Sequence, residues 1–347
     1  MSKKKRSGQI TIRDVAREAG VSISTVSNAL NKSRYVKKET LQKIRNAAEM
    51  LGYRPNVIAR GLRIKSTRSV GVIVPDIANP FFAEMVKGME EVARNLGFTL
   101  ILCCTYYDTD EETRQLDLLM NKWVDGFIFA SGFNTDDHIA ELVDQKIPVV
   151  AVDREITQFE VPSVLIDNVE ATKKSVNYLC ELGHRRIGYI TFSMEKIKTV
   201  ENRFLGYRDG LKENGIDFDD DLLIVDEGLR MNEIKGCYSA VEKMLGVKNP
   251  PTAIITMADV MAIGAIKALK DLGVRVPQDV SVIGFDNIAY SAFTDPPLTT
   301  VKQPKKSMGR IAMTLLIDLI NKKKVEKKNI IVPTELIIRE STARCPQ

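Results

Sequence analysis

Soft metal ligands are scarce. Five cysteines (Cys103, Cys104, Cys180, Cys237 and Cys345) and two histidines (His138 and His184) are spread over 347 residues with no CxxC pair. A dedicated zinc site is therefore not expected. The cysteine count is odd, and Cys103 and Cys104 are neighbours inside an apolar run. Buried reduced thiols in a cytoplasmic protein fit this better than a disulfide framework. No apolar run is long enough to span a bilayer. The opening MSKKKRSGQ has charge but no apolar stretch behind it, so a secretory signal is not expected. No GxGxxG follows the first strand-like run, and GxxxxGK[ST] occurs nowhere. No histidine or cysteine stands in a recognisable triad, so neither catalysis nor a cofactor is expected. A leucine heptad is missing after Arg339, which argues against a tetramerising coiled coil.

What is present is an ordinary globular composition, 44% hydrophobic and 27% charged, long enough for two or three cores. The net charge of +5 hides a division: residues 1–65 hold sixteen Lys/Arg against four Asp/Glu, leaving −7 for the remainder. A basic head on an acidic body points to a polyanion partner for the head. A solvated tail would explain Lys3 to Arg6, but the later charges are interleaved with regular apolar positions.

Thr11-Ile12-Arg13-Asp14 has the form of a capping box. Val15, Ala16 and Ala19 follow as a short apolar face, and Gly20 stops the helix. Ser22 can cap a second helix with Val26, Ala29 and Leu30 facing inward. A third runs from about Lys38 to Leu51 and ends at Gly52. Three short helices, the first two joined by a turn containing glycine, make a helix-turn-helix unit. Ile23, Ser24, Thr25, Ser27 and Asn28 form the outward face of the second helix. Such short side chains can approach base edges in the major groove, while Thr25 and Ser27 can instead bond phosphates. The plainer reading is a solvated surface helix. Tyr53 to Arg63 (YRPNVIARGLR) is a weak helix after Pro55: a plain linker, or a segment that folds when docked on DNA.

After Ser66, apolar runs alternate with amphipathic stretches, as in parallel sheets covered on both faces. The first series is Val70–Val74, Thr99–Cys104, Gly126–Ala130 and Val149–Val152. The second is Ile187–Phe192, Leu222–Val225, Ala253–Met257 and Val280–Phe285. The expected fold class is α/β: two doubly wound parallel-sheet lobes below an all-α head. Leu298–Val301, a helix over Lys305–Ile320, and Ile330–Ile338 add to the lobes, so the chain crosses between them more than once. Ligands in such sheets sit beyond the carboxyl ends of the strands. Residues there are Asp76, Asn79, Phe81, Tyr106, Asp153, Arg154, Asp259 and Asp286, with Arg203 on a helix facing the cleft. Carboxylates, an arginine and aromatics suit a polyhydroxy ligand. Asp76 and Asp259 read equally well as an Asx turn or a helix cap.

IRDVAREAGVSISTVSNALN, then GYRPNVIARGLR and SVGVIVPDIANPFFAEM, resemble the lactose-repressor (LacI/GalR) family of bacterial transcription regulators. GHRRIG, MAIGA and RVPQDVSVIGFDN extend the likeness along the body, which is also similar to periplasmic sugar-binding proteins. The resemblance implies a homodimer on near-palindromic double-stranded operator DNA. It implies a hinge helix that wedges Leu62 into the minor groove beside Ala59 and Arg63, and base reading by Ile23, Ser24 and Asn28. The expected DNA-binding set is Thr11, Ile23, Ser24, Thr25, Ser27, Asn28, Asn31, Arg34, Tyr53, Asn56, Ala59, Arg60, Leu62 and Arg63. In the body the resemblance implies a small carbohydrate-type effector held by Arg203 and Asp286. Arg230 departs from the pattern; a second cleft arginine would suit an anionic ligand such as a sugar acid or sugar phosphate. His184 reads as a brace for a helix-to-strand turn.

The expected organisation is a helix-turn-helix domain over 1–53 and a hinge helix with linker over 54–67. The effector-binding and dimerisation body covers 68–347, with a first lobe of about 68–161 and 291–322 and a second of about 162–290 and 323–347. The dimer surface is expected on Phe81–Leu96 and around Tyr290–Thr294. Rival readings are an enzyme, a solute-binding transport component, and a global regulator whose partner is a phosphorylated carrier protein. No membrane association is expected.

Overall fold

The computed structural model describes residues 10–31, 35–53, 66–121, 124–130, 132, 137–156, 158–193, 197–231, 233–325 and 329–346, without the side chains of Asn31, Asp137, His138, Arg230, Met231 and Glu233. The chain divides between Thr67 and Arg68 into two units, each described by itself.

In the first unit, Thr11 caps α1 (Ile12–Glu18): its backbone N–H and its hydroxyl both donate to the Asp14 carboxylate, at 2.9 and 2.7 Å. Those bonds hold the Asp14 carboxyl below its ordinary value. Gly20 takes φ +65°, which lets Val21 N–H reach back to the Ala16 carbonyl and close the helix. Ser22 caps α2 (Ile23–Asn31) by accepting from Thr25 N–H at 3.1 Å. α3 (Lys38–Met50) completes the trio. Val15, Ala16, Val26, Ala29, Ile44 and Ala47 form a small core between them.

The second unit holds two six-stranded sheets among the described residues. The first takes β1 (Ser69–Val74), β2 (Thr99–Cys104), β3 (Phe127–Ala130), β4 (Val149–Val152), β5 (Ser163–Leu165) and β11 (Asn329–Ile331), in the order β11-β5-β4-β3-β1-β2. All its pairings are parallel. The second takes β6 (Ile187–Thr191), β7 (Leu223–Val225), β8 (Ala253–Thr256), β9 (Ser281–Asp286), β10 (Thr299–Lys302) and β12 (Glu335–Ile337), in the order β12-β10-β9-β8-β6-β7. Here only β12 runs antiparallel, against β10. The inner strands β3, β4, β8 and β9 are buried at every residue, which is why they read as unbroken apolar runs.

Helices α4 (Pro80–Asn95), α5 (Thr109–Asn121), α6 (Asp137–Asp144) and α12 (Lys305–Ile320) belong to the first lobe. α7 (Asn168–Glu181), α8 (Lys198–Glu213), α9 (Gly228–Met231), α10 (Glu233–Leu245) and α11 (Asp259–Asp271) belong to the second. α4 and α12 meet backbone to backbone. A Cβ on Gly88 would collide with the Lys306 carbonyl, and one on Gly309 with that of Met85. The apolar face of α4 (Phe81, Phe82, Met85, Met89 and Ala93) is thus buried within the chain, leaving Lys87, Glu90, Arg94 and Leu96 exposed.

Three short strands revise the expected lobe boundaries. Ser163–Leu165 pairs with β4, so the first lobe runs past residue 161. Thr299–Lys302 pairs with β9, so this part of 291–322 is second-lobe. Asn329–Ile331 pairs with β5, so this part of 323–347 returns to the first lobe. The run Ile330–Ile338 is two strands in two sheets, because Pro333 between them has no N–H for a ladder. Strands of three or four residues carry too little periodicity to declare a partner; hydrogen bonding decides it. Among the described residues the chain therefore crosses between lobes three times: after β5, after β10 and after β11.

Candidate functional site

On the head, Ile23 is 45% exposed, Ser24 is exposed, and Thr25 and Asn28 are half-buried. The hydroxyls of Ser24 and Thr25 both bond Ser22, at 2.7 and 2.8 Å, which fixes their rotamers at the start of α2. Ser27 departs from expectation: it is 7% exposed. It directly follows Val26, which is fully buried in the head core, on a nine-residue helix. Tyr53 packs against the head core, and Thr11 is engaged with Asp14. The Asn31 side chain and Arg34, Asn56, Ala59, Arg60, Leu62 and Arg63 lie outside the described residues.

In the body, a cavity opens at the carboxyl ends of strands from both lobes. Asn79, Phe81 and Asp153 line it from the first lobe, and Arg203 and Asp286 from the second. Its volume of about 30 Å³ leaves room for a water or two.

The parts are individually fixed. Asn79 caps α4 by accepting from Phe81 N–H at 3.0 Å, with Pro80 at the first helical position. Arg203 is buried on α8. Its Nε donates to Asn168 Oδ1 and one Nη to the Met257 carbonyl, both at 2.8 Å. Its guanidinium lies 3.9 Å from the centre of the Phe285 ring and its Nη1 4.0 Å from Asp286 Oδ1. Asp286 has φ +120° and Asn287 φ +51°. Lys305, 4% exposed, donates to the carbonyls of both, at 2.6 and 2.8 Å, and Gln303 Nε2 donates to Asp286 Oδ1 at 2.7 Å. Burial pushes the Asp286 carboxyl up, against the pull of Arg203 and Lys305. Asp153 has φ +51° and is 4% exposed. Burial pushes its carboxyl up to about 7, with Arg203 opposing and the Asp286 charge adding.

Four expected residues do not line the cavity. Asp76 forms an Asx turn, accepting from Ala78 N–H at 2.8 Å. Tyr106 is 57% exposed, and Tyr107 takes its place, 5.7 Å from the Phe192 ring. Both tyrosines have positive φ, 54° and 55°, so the left-handed turn after β2 selects which ring faces inward. Arg154 is buried in an ion pair with Glu112 at 2.8 Å. Asp259 lies beneath the site, accepting from Ile288 N–H at 2.9 Å and from the Ser291 and Thr300 hydroxyls. Burial and the Asp286 charge push its carboxyl up. The side chain of Arg230 lies outside the described residues.

Reading the residues missed Phe82, Tyr107, Phe192 and Thr199 on the lining, and Asn168, Gln303 and Lys305 behind it. Phe192 directly follows β6 and was open to the strand-end rule. Gln303 and Lys305 gave no local signal. His184 is buried: its Nε2 is 3.0 Å from the Ala343 carbonyl, which can only accept, so Nδ1 accepts from Thr252. Burial lowers its pKa. Among the described residues no group of His, Cys, Asp and Glu could hold a metal, and no helix is long and apolar enough to cross a membrane.

Residues 67–340 match the profile of "Periplasmic binding proteins and sugar binding domain of LacI family", and residues 11–56 match "Bacterial regulatory proteins, lacI family". The chain belongs to the LacI family. Members with which it aligns include the HTH-type transcriptional regulator RegA of Clostridium saccharobutylicum, 39% identical over 96% of this chain and 99% of that one. Among solved structures, the lac repressor dimer bound to operator and the anti-inducer ONPF aligns with TM-score 0.84, at 26% identity, over 97% of this chain and 100% of that one. The transcriptional regulator CelR in complex with cellobiose aligns with TM-score 0.72, at 29% identity, over 96% and 99%. This LacI-family chain is a DNA-binding transcriptional regulator whose body is of the family's sugar-binding type.

Proposed function

We propose that the protein is a cytoplasmic, homodimeric, sequence-specific repressor, released from near-palindromic operator DNA by a small carbohydrate-type effector bound between the lobes. The observation that carries the effector reading is the meeting of Asp153, Arg203 and Asp286 at one cavity, although they lie far apart in the sequence and come from opposite lobes. Effector binding changes the lobe angle at the three crossings. That change is transmitted to the hinge segments, which fold into the minor groove only at the right separation. Exposed Tyr290 and Phe293, 63% and 86%, support the expected dimer surface in the second lobe. The lac repressor dimer on operator supports two-fold DNA reading, and the CelR–cellobiose complex supports a carbohydrate guest.

Selection of duplexes from a randomised pool by the full chain tests this. A near-palindromic consensus is expected, and its affinity should change when the effector is added. Recovery of no preferred sequence at moderate salt overturns the repressor reading.

A further inference from the structure

One buried carboxylate ties the end of β9 to an exposed turn of the second lobe. Asp259 opens α11 just past the end of β8 and is fully buried. Its Oδ2 accepts from Ile288 N–H at 2.9 Å and from the Ser291 hydroxyl at 2.5 Å, and its Oδ1 accepts from the Thr300 hydroxyl at 2.5 Å. Thr300 accepts in turn from Asn287 N–H at 3.3 Å. Ser291 is the buried residue of the 3-10 turn Ala289–Ala292, which carries exposed Tyr290 and leads into exposed Phe293. Asp286 stands at the other end of the same segment, two residues before Ile288. Arg339 pins the segment too, donating to Asn287 Oδ1 at 2.7 Å and to the Leu298 carbonyl at 2.6 Å. A Cβ on Gly284 would collide with Asp259 Oδ1, so β9 makes room for the carboxylate with a glycine. The two carboxyls also sense each other. Burial and then the Asp286 charge raise the Asp259 carboxyl, against its three hydrogen bonds. Burial raises Asp286 as well, and Arg203, Lys305, Gln303 and the Asp259 backbone N–H draw it back.

Resting on the reading that Tyr290–Thr294 lies on the homodimer surface, we infer that Asp259 is a positioning residue that sets this turn for self-association and couples it to the charge on Asp286. An ionised Asp259 accepts its three donors strongly, and drawing them together fixes the turn. A charge on Asp286 opposes the ionisation of Asp259 and so loosens that grip. A guest that stabilises the charged form of Asp286 therefore weakens the pairing of subunits, and pairing lowers the affinity for that guest by the same factor. The sign separates charge coupling from simple support. Neutralising Asp286 tightens the dimer, whereas damage to the fold loosens it.

Subunit exchange between two differently labelled samples of the full chain at neutral pH, read by energy transfer, tests this. Ser291→Ala and Asp259→Asn are each expected to speed exchange about threefold or more. Asp286→Asn is expected to slow it about threefold, and to leave the rate unchanged in the Asp259→Asn background. Phe293→Asp, the control for the surface itself, should speed exchange about tenfold or more. Circular dichroism checks that each variant folds. If Asp259→Asn does not, Ser291→Ala serves as the background, and the slowing by Asp286→Asn should shrink in it. Exchange indifferent to Phe293→Asp, or a chain that is monomeric at micromolar concentration, overturns the dimer-surface reading and the inference with it. Exchange that responds to Phe293→Asp but to neither Ser291→Ala nor Asp259→Asn overturns the inference and keeps the surface. Faster exchange of Asp286→Asn, or an equal change in both backgrounds, overturns the inference as well.

Discussion

Lys305 donates to the Asp286 carbonyl at 2.6 Å, joining the first turn of a first-lobe helix to the end of a second-lobe strand. The bond sits at the second crossing between lobes. Gln303, two residues earlier, holds the carboxylate of the same aspartate. The cleft carboxylate and the crossing are thus one hydrogen-bonded unit, so a guest that moves Asp286 acts directly on α12.

Lys305→Met should expose the weight of that unit. It removes two charge-assisted bonds, leaving the Asp286 carbonyl with the Gln303 N–H at 3.4 Å and the half-buried Asn287 carbonyl without its lysine, which costs about 2–4 kcal/mol of stability. Urea denaturation measures it. Lys305→Arg should recover part of the loss; equal stability of Lys305→Met and wild type would refute the assignment.

Gly309→Ala forces a methyl against the Met85 carbonyl where α4 and α12 touch. Overpacking at such a crossing costs about 1–3 kcal/mol. Thermal denaturation should show a lowered midpoint, whereas alanine at Gly215, whose Cβ would meet nothing, should cost less even with its φ of +65°.

Acid–base behaviour of Asp153 has a definite sign. Its carboxyl is pushed up to about 7 in the fold from its ordinary 3.8, so between those values the native state holds more protons than the unfolded chain. Its contribution to unfolding free energy therefore declines as pH rises from about 4 to about 7. Comparing melting curves of wild type and Asp153→Asn across that window isolates this contribution. The variant should gain on wild type as pH rises; a constant difference would rule out the raised carboxyl. His184 acts oppositely: its lowered pKa makes stability fall as pH drops below its unfolded value of 6.5.

Leu62→Ala should weaken operator binding about tenfold or more while leaving effector affinity unchanged, if the leucine is the minor-groove wedge that the resemblance implies. Fluorescence anisotropy with a selected duplex, alongside calorimetry, separates the two readouts. Unchanged operator affinity would remove the wedge.

Much of the fold could be read in advance because its elements carry strong local signals. Thr99–Cys104, Val149–Val152 and the helix Lys305–Ile320 lie at the residues that their composition marked. Gly20 and Gly52 end head helices because only glycine enters φ near +65° without cost. Asn79, Phe81, Asp153 and Asp286 were open to the rule that ligands sit past strand ends, and Arg203 to the family resemblance. Tertiary structure alone decided the rest. Whether Tyr106 or Tyr107 faces the cavity depends on two left-handed residues, and whether Asp259 lines it or latches Ser291 and Thr300 depends on where those hydroxyls arrive. The sheet joined by Asn329–Ile331, and the grip of Lys305 on Asp286, depend on contacts distant in sequence. Periodicity and capping report on a residue's near neighbours along the chain. A hydrogen bond between lobes has no such local trace, so the sequence marks the candidates while packing chooses which of them meet.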